Sequence, residues 1–247
     1  MKVTKQGIVG ALLTLVVAAV CVRLGFWQLH RLAERRASNA ELAHAIALPP
    51  LALGDDLAAV MRHPERFVDR RARVTGTYES AAALVLRGRA FEGEPGVQLA
   101  APLRVAGHDT VVIVDRGWVP APDAASVDPG RYPEPGARTV TGILREMPVI
   151  AEGAKPVTLT VDGVPVRTVQ RLDLARLRAQ SRAPLLPLYL QQLPERARAD
   201  SVLPRRVPIP PMSEGPHLSY AIQWFSFAAI AVIGFLVVVF HRSRRPR

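Results

Sequence analysis

The fold of this chain is decided by the stretch SYAIQWFSFAAIAVIGFLVVVF, which runs from Ser219 to Phe240. The stretch contains no charged residue, and as a helix it would extend roughly 33 Å, enough to cross the hydrocarbon core of a bilayer. A helix in the core of a soluble protein would keep a polar face, and this stretch has almost none after Ser226. We therefore predict a transmembrane helix at 218–240, followed by a basic cytoplasmic tail at 241–247.

A second apolar block lies at the other end of the chain, between Gln6 and Leu29. Its one charged residue, Arg23, lies near the end of the block, where a long side chain can reach the lipid headgroups. Cleavage as a signal peptide, or lipidation at Cys21, is the alternative. The residue immediately before Cys21 is Val20, whereas a cleavage site needs a small residue there. We therefore predict an uncleaved transmembrane helix at 1–29.

The charge of the chain fits a membrane protein better than a nucleic-acid-binding protein. The formal net charge is +11, but all 21 acidic residues and 25 of the 32 basic residues lie between His30 and His217. The other seven basic residues flank the apolar blocks, where positive charge marks the cytoplasmic side. We predict a bacterial plasma-membrane protein that crosses the lipid bilayer twice, with both termini cytoplasmic. Residues 30–217 would form an extracytoplasmic, periplasmic domain, and no nucleic-acid partner is expected.

The residue inventory argues against an enzyme. There is one cysteine, so neither a disulfide within the chain nor a pair of cysteine ligands for copper or zinc is available. The chain contains no hydrolase elbow, phosphate-binding loop, dinucleotide fingerprint or His-Glu-x-x-His motif. We therefore predict a protein without catalytic activity. A membrane enzyme with an unrecognised site is the alternative.

The middle of the chain has the pattern of a β-rich domain. Short runs rich in β-branched residues alternate with Gly and Pro. Asp162-Gly163 predicts a hairpin, and Asp173 can cap a short helix. We predict a mainly antiparallel β domain (barrel- or sandwich-like, α+β). The predicted strands are Arg73–Tyr78, Ala83–Arg87, Val97–Val105, Thr110–Val114, Thr139–Leu144, Val157–Val161, Val166–Leu172 and Leu185–Leu193.

Two further helix starts are open to interpretation. Asp55 and Asp56 can cap a short helix through Leu57 to Met61. Ser38 and Glu41 have capping-box spacing, although the first apolar helix can also continue through this region.

Polar and aromatic residues collect at the outer ends of the two predicted spans. The first span ends with Gly25 to Arg31, and the second begins with His217 to Trp224. His217, Tyr220, Ala221 and Trp224 share one helical face. One interpretation is an aromatic belt, with Gln28 and Gln223 hydrogen-bonding the helices together. The other is a cofactor site in which a histidine ligates iron, aromatic rings line a macrocycle, and His30 or Arg31 meets its carboxylates.

The segment Asp115-Arg116-Gly117-Trp118 follows a strongly apolar strand, and we expect the strand to end and turn at Gly117. Arg116 and Trp118 are candidates for binding a partner. The alternative is structural, with a turn at Asp115–Arg116 and with Trp118 packed in the core.

Three motifs together resemble the surfeit locus protein 1 family, the cytochrome c oxidase assembly factors of bacteria and mitochondria. The motifs are LGFWQLHR at 24–31, VDRGWVP at 114–120 and HLSYAIQWF at 217–225. They stand in the family's order and cover nearly the whole chain. The resemblance implies a role in building the haem a-containing catalytic subunit of the oxidase, by receiving or presenting haem a and without catalysis.

The resemblance also implies the site. The family's haem-ligating histidine matches His217 and its first-helix tryptophan matches Trp27. A haem a site would also include Tyr220, Trp224, Gln28 and Arg31. The nascent catalytic subunit is the expected partner, with the haem a synthesis machinery as a second one. A haem-free membrane scaffold that holds the nascent subunit is the alternative.

Two residues depart from the family's pattern. The family often has Asn shortly before the histidine, where this chain reads Glu214-Gly215-Pro216. It also often has Lys where this chain has Arg35, a change that keeps the charge. Without the Asn, His217 is expected to lack that orienting neighbour.

Overall fold

The computed structural model describes residues 5–147, 156–195, 198–199 and 201–243. Within these ranges it contains four α-helices, three short 3₁₀ turns and nine strands. The helices are α1 (Lys5–Ala47), α2 (Leu53–Arg62), α3 (Leu174–Gln180) and α4 (His217–Ser243). The strands are β1 (Leu51–Ala52), β2 (Arg71–Tyr78), β3 (Leu84–Phe91), β4 (Glu94–Val105), β5 (Val111–Pro120), β6 (Ala137–Glu146), β7 (Val157–Val161), β8 (Val164–Val169) and β9 (Leu188–Gln192).

The chain divides into two compact units. One comprises residues 1–43 and 211–247 and contains most of α1 and all of α4, and the other comprises residues 44–210. Both terminal helices are long and apolar enough to cross a membrane. Their large side chains are mostly exposed, as for Leu13, Ile230 and Phe240. Two apolar terminal helices therefore flank the middle domain, and they are compatible with membrane association. The predicted domain limits at 30 and 217 stay a prediction.

The first helix continues beyond the predicted transmembrane segment, as one of the two interpretations of this region allowed. α1 has 43 residues and continues unbroken from Leu29 to Ala47, past Ser38 and Glu41. Residues 30–47 consist mostly of Ala, Leu, Glu and Arg, which are strong helix formers, and the first helix breaker is Pro49. The capping-box spacing is therefore not used, because no chain end or turn interrupts the helix at that point.

The helical unit is an antiparallel pair built on small residues. Ala18, Cys21 and Ala228 are buried together in the contact, and Trp224 packs against them. Further along, the ring of Phe225 lies so close to Gly25 that a Cβ there would be 2.7 Å away. Small side chains let two helices approach closely, which is the usual basis of packing within a bilayer.

The middle unit is a mixed β-sheet. The strands lie in the order β1-β2-β6-β9-β5-β4-β3-β8-β7, and β2 also pairs with β4. The pairs β2–β6, β6–β9, β9–β5, β5–β4 and β4–β2 thus form a closed circuit. Of the nine pairings in the described residues, β1–β2, β3–β8 and β5–β9 are parallel. The predicted mainly antiparallel domain did not include these three parallel pairs, because parallel strands are joined by long crossover connections that leave no local turn signal in the sequence.

Most local predictions in this unit are confirmed, with shifted ends. The hairpin turns at Asp162 and Gly163, both at positive φ, and joins β7 to β8. Asp173 caps α3 by accepting hydrogen bonds from the backbone N–H groups of Ala175 and Arg176. The cap predicted at Asp55 and Asp56 is wrong. α2 begins at Leu53, so both carboxylates lie in its first turn, where they still face the positive end of the helix dipole.

Candidate functional site

The outer ends of the two terminal helices meet at one polar contact. His217 Nδ1 lies 2.9 Å from Gln28 Oε1, and both side chains are half-buried. An amide oxygen can only accept, so Nδ1 carries the hydrogen and donates it. With Nδ1 as the donor in this contact, Nε2 is the ring nitrogen left to act as an acceptor or a ligand. Among the described residues, Nε2 has no hydrogen-bond partner, and it lies beside Gly215. A histidine held in this way is prepared to bind a metal through Nε2.

The segment that precedes His217 is tied to the extension of α1. The carbonyl oxygen of Ser213 accepts hydrogen bonds from Arg35 Nε and Asn39 Nδ2, each 3.2 Å long. Arg36 makes a two-pronged contact with Glu214, with both N–O distances at 2.9 Å. These contacts hold the chain just before α4 begins. The Asn of the family's pattern is absent before His217, and the ring instead contacts Gln28 of α1.

Among the described residues, Gln28 is the one predicted site residue that hydrogen-bonds His217. Trp27 and Tyr220 are 53% and 47% exposed. Trp224 turns towards Ala18, Cys21 and Ala228. Arg31 and His30 both contact Glu34, at 2.6 and 3.2 Å. The structure thus brings together His217 and Gln28, leaves Trp27 and Tyr220 free on the surface of their own unit, and uses Trp224 for helix packing.

The Asp115–Trp118 segment lies in the middle unit. The predicted turn at Gly117 is wrong, because β5 continues to Pro120. Opposite β4 the register shifts, with Leu99 facing Gly117 and Ala100 facing Asp115, so Arg116 is the extra residue of a β-bulge. Gly117 has φ +113°, and the Asp115 carboxylate accepts a 3.0 Å hydrogen bond from its N–H. The chain is bent here without leaving the sheet.

A distant segment of the chain packs against the bulge in β5. Trp118 exchanges two backbone hydrogen bonds with Arg205, each 2.8 Å long. A Cβ on Gly117 would collide with the carbonyl oxygen of Arg205. Trp118 itself is 2% exposed. Residues 205–206 are thus docked onto β5. Trp118 is buried, as in the structural interpretation of this motif, but β5 continues through the turn which that interpretation placed at Asp115–Arg116.

Arg116 belongs to a buried charge cluster. Arg116 and Arg206 both contact Glu134 Oε1, at 3.1 and 2.6 Å, and their side chains are only 5% and 3% exposed. Arg116 also donates to the carbonyl oxygen of Tyr132 and lies over the ring of Tyr78. Burial alone would raise the pKa of Glu134, but the two guanidiniums outweigh it and hold the pKa below its usual range. The cluster is therefore ionised.

The burial of Arg116 and Trp118 matters for the prediction that they bind a partner. Arg116 and Trp118 are both buried, so neither side chain is presented at the surface of this unit. Their partner-binding role stays a prediction, and their burial argues against it. Sequence reasoning missed Glu134 and Arg206, which are separated from each other by 72 positions. The only local signals were a carboxylate between two prolines and an Arg-Arg pair in a Pro-rich segment.

Asp115, at the bulge in β5, is expected to make the stability of the protein depend strongly on pH. Burial raises the pKa of Asp115 from 3.8 to about 6, against smaller opposing effects of the Gly117 N–H and of Arg89 and Arg206. The folded protein therefore holds this proton more tightly than the unfolded chain. The contribution of Asp115 to stability is largest below pH of about 4 and falls as pH rises to about 6.

Asp115→Asn should remove this pH dependence while keeping an acceptor for the Gly117 N–H. At neutral pH we expect the variant to be more stable than the wild type, with a free energy of unfolding greater by up to about 3 kcal/mol, because two pKa units correspond to roughly that amount. Urea unfolding of the full chain in detergent at pH 4 and pH 7 measures the difference. Asp109→Asn, at an exposed loop position, is the control. Equal pH profiles for wild type and Asp115→Asn would contradict the assignment.

The comparisons with known proteins agree on one family. The SURF1 family model matches residues 15–229. The chain is similar to an uncharacterized SURF1-like protein of Mycobacterium bovis, with 29% identity over 208 residues, 84% of this chain and 73% of that protein. It is 28% identical to a SURF1-like protein of Monosiga brevicollis, over 92% of this chain and 85% of that one. A SURF1-like protein of Drosophila melanogaster is 26% identical, over 87% and 72%.

Proposed function

Because the chain belongs to the SURF1 family, we propose that it is an assembly factor for haem–copper cytochrome c oxidase and handles haem a. In this role it binds haem a transiently and assists its insertion into the nascent catalytic subunit. The proposal assigns the chain binding and release rather than catalysis. Its proposed partners are that subunit, the haem a synthesis machinery and the lipid bilayer.

The observation that carries the haem proposal is the His217–Gln28 contact. Haem iron takes a neutral imidazole nitrogen as an axial ligand. His217 meets this need because its Nδ1 donates to Gln28 Oε1 at 2.9 Å and its Nε2 has no partner among the described residues. Gln28 acts on the ligand through the ring, so it is a positioning residue. A single, half-exposed ligand suits a site that must release what it binds.

The exposed rings near the same helix ends support the proposal. Trp27 and Tyr220 are about half exposed, and either ring can pack on a flat macrocycle. Arg31 is exposed and paired with Glu34, so it can exchange that partner for a carboxylate of the ligand. Trp224 contributes indirectly, by fixing the helix pair that holds Gln28 and His217.

The proposed location follows from the basic flanks. Lys2 and Lys5 precede the first apolar run, and four arginines follow Phe240, so both termini are assigned to the cytoplasm of a bacterium. The His217–Gln28 contact then lies at the outer face of the plasma membrane, and the middle domain is periplasmic.

The test is the visible spectrum of the full chain purified from cells that make haem a. We expect a Soret band in the wild type that is lost or shifted in His217→Ala and unchanged in His63→Ala, a histidine of the middle unit. Gln28→Leu should retain haem with a weaker or shifted band, because the ring keeps its nitrogen but loses its orientation and tautomer.

A Soret band that is identical in wild type and His217→Ala would overturn the ligand assignment. A wild type that contains no haem but is still required for oxidase activity in the same cells would favour the alternative function, a scaffold that holds the nascent subunit without binding haem. A chain that is dispensable for oxidase activity would contradict the assembly role itself.

A further inference from the structure

The middle unit contains a polar cavity beside the bulge in β5. Its volume is about 310 Å³, and the described residues that line it include five arginines and two glutamates. Arg116 and Arg206 form its buried wall, and the side chain of Arg131, on the rim, is 64% exposed. The cavity has roughly ten times the volume that one water molecule occupies in the liquid, so it can hold a small ligand.

The charges around the cavity do not balance. Arg116 and Arg206 share the single carboxylate of Glu134. The other glutamate, Glu195, accepts a 3.1 Å hydrogen bond from Gln192, which carries no charge. Arg131 has its own partner outside the lining, Asp162. The remaining four lining arginines face two glutamates, which leaves an excess of two positive charges among the described lining residues.

Arg198 is another arginine of the lining, and Glu134 and Glu195 only partly offset the burial and repulsion that act on it. Among the described residues it donates to the backbone carbonyl groups of Leu203 and Pro204 and makes no ion pair. Burial lowers the pKa of Arg198, and repulsion from Arg206 is the next cause. When two guanidiniums repel each other, an anion that binds between them relieves the repulsion and is therefore bound favourably.

The buried guanidiniums also have unused donors. The Nε–H groups of Arg116, Arg198 and Arg206 are buried and have no hydrogen-bond partner. An unsatisfied buried donor is costly, and a bound water or ion can satisfy it. Small rotations of the side chains would bring these groups to an anion in the cavity.

We propose that this cavity binds a phosphate group, as inorganic phosphate or as a small phosphate monoester. A tetrahedral dianion matches the excess of two positive charges, and its oxygens can accept from guanidiniums on several sides. A carboxylate carries one charge and offers two oxygens in one plane, so it fits this wall less well. The site is independent of the proposed haem ligand, because all of its residues belong to the middle unit.

The test is isothermal titration of the full chain in detergent with inorganic phosphate, and separately with glycerol 3-phosphate, at constant ionic strength. We expect saturable binding that is at least about tenfold weaker in Arg198→Gln, the loss of one charge-assisted hydrogen bond. Arg198 makes no ion pair, so this variant should fold. Arg104→Gln, which removes an exposed arginine elsewhere on the sheet, is the matched control and should bind like the wild type.

Glu134→Gln gives a second measurement with the opposite sign. Removing a negative charge from the wall should tighten phosphate binding, and phosphate should raise the melting temperature of this variant more than that of the wild type. Tighter binding of glycerol 3-phosphate than of inorganic phosphate would identify a monoester as the ligand, and the reverse order would identify the free ion. The absence of saturable binding for both probes, or equal binding by Arg198→Gln, would overturn the proposal.

Discussion

Replacing Glu134 with glutamine is expected to lower the free energy of unfolding by about 3–5 kcal/mol, because the change leaves buried guanidiniums without a counter-charge. Glu134 Oε1 contacts Arg116 at 3.1 Å and Arg206 at 2.6 Å. The side chain of Glu134 is 13% exposed, and those of Arg116 and Arg206 are 5% and 3% exposed. Glutamine has nearly the same shape, so the loss reports charge rather than packing. Urea unfolding of the full chain in detergent, followed by tryptophan fluorescence, measures it.

A matched control exists on the neighbouring arginine. Glu92 contacts Arg205 at 3.3 Å, but its side chain is 69% exposed. Glu92→Gln should therefore change stability by less than about 1 kcal/mol, as is usual for surface pairs. Equal losses in the two variants would mean that the Glu134 cluster is not a buried, mutually dependent set of charges.

Gly117→Ala is expected to cost about 3 kcal/mol and to release the docked segment at Arg205–Arg206. Two effects combine, since φ is +113° and the new Cβ would collide with the carbonyl oxygen of Arg205. Arg206 is 7% exposed in the docked state, which protects the peptide bond after it. We therefore expect trypsin to cut the variant after Arg205 or Arg206 much faster than the wild type, alongside a lower melting temperature.

Gly93→Ala separates the two effects. Gly93 also has positive φ, at +84°, but nothing lies within 4 Å of a Cβ added there. This variant should lose only the roughly 1–2 kcal/mol of the left-handed backbone and should stay resistant to trypsin at Arg206. A Gly117→Ala protein that behaves like Gly93→Ala would show that the close approach of Arg205 is not important.

Local elements of the fold could be predicted because their signals are local. The uncharged run Ser219–Phe240, the β-branched run Thr110–Val114 and the cap at Asp173 are each readable from a few neighbouring residues. The predicted span followed the end of the apolar run, and the continuation of the helix beyond it had been left open. Helix-forming residues beyond Leu29 carry the helix to Ala47.

The proposed haem site could be predicted in part. His217 and Gln28 were identified from their types and from the resemblance to the family. Their contact joins positions 189 residues apart, so it required the packing of α1 on α4. Arg116 and Trp118 were identified as well, but whether they face a partner or the core depends on what covers β5. The covering segment contains Arg205, 87 positions beyond Trp118 in the chain.

The sequence by itself determined the two apolar helices, the β-rich domain between them and the family. These depend on hydropathy, side-chain branching and motifs, all of which are properties of short stretches. The parallel strand pairs, the His217–Gln28 contact and the Arg116–Glu134–Arg206 cluster with its charged cavity became visible only in the folded chain. These features depend on which distant residues meet, and a buried charge or ring nitrogen takes its properties from whichever group the folded chain places beside it.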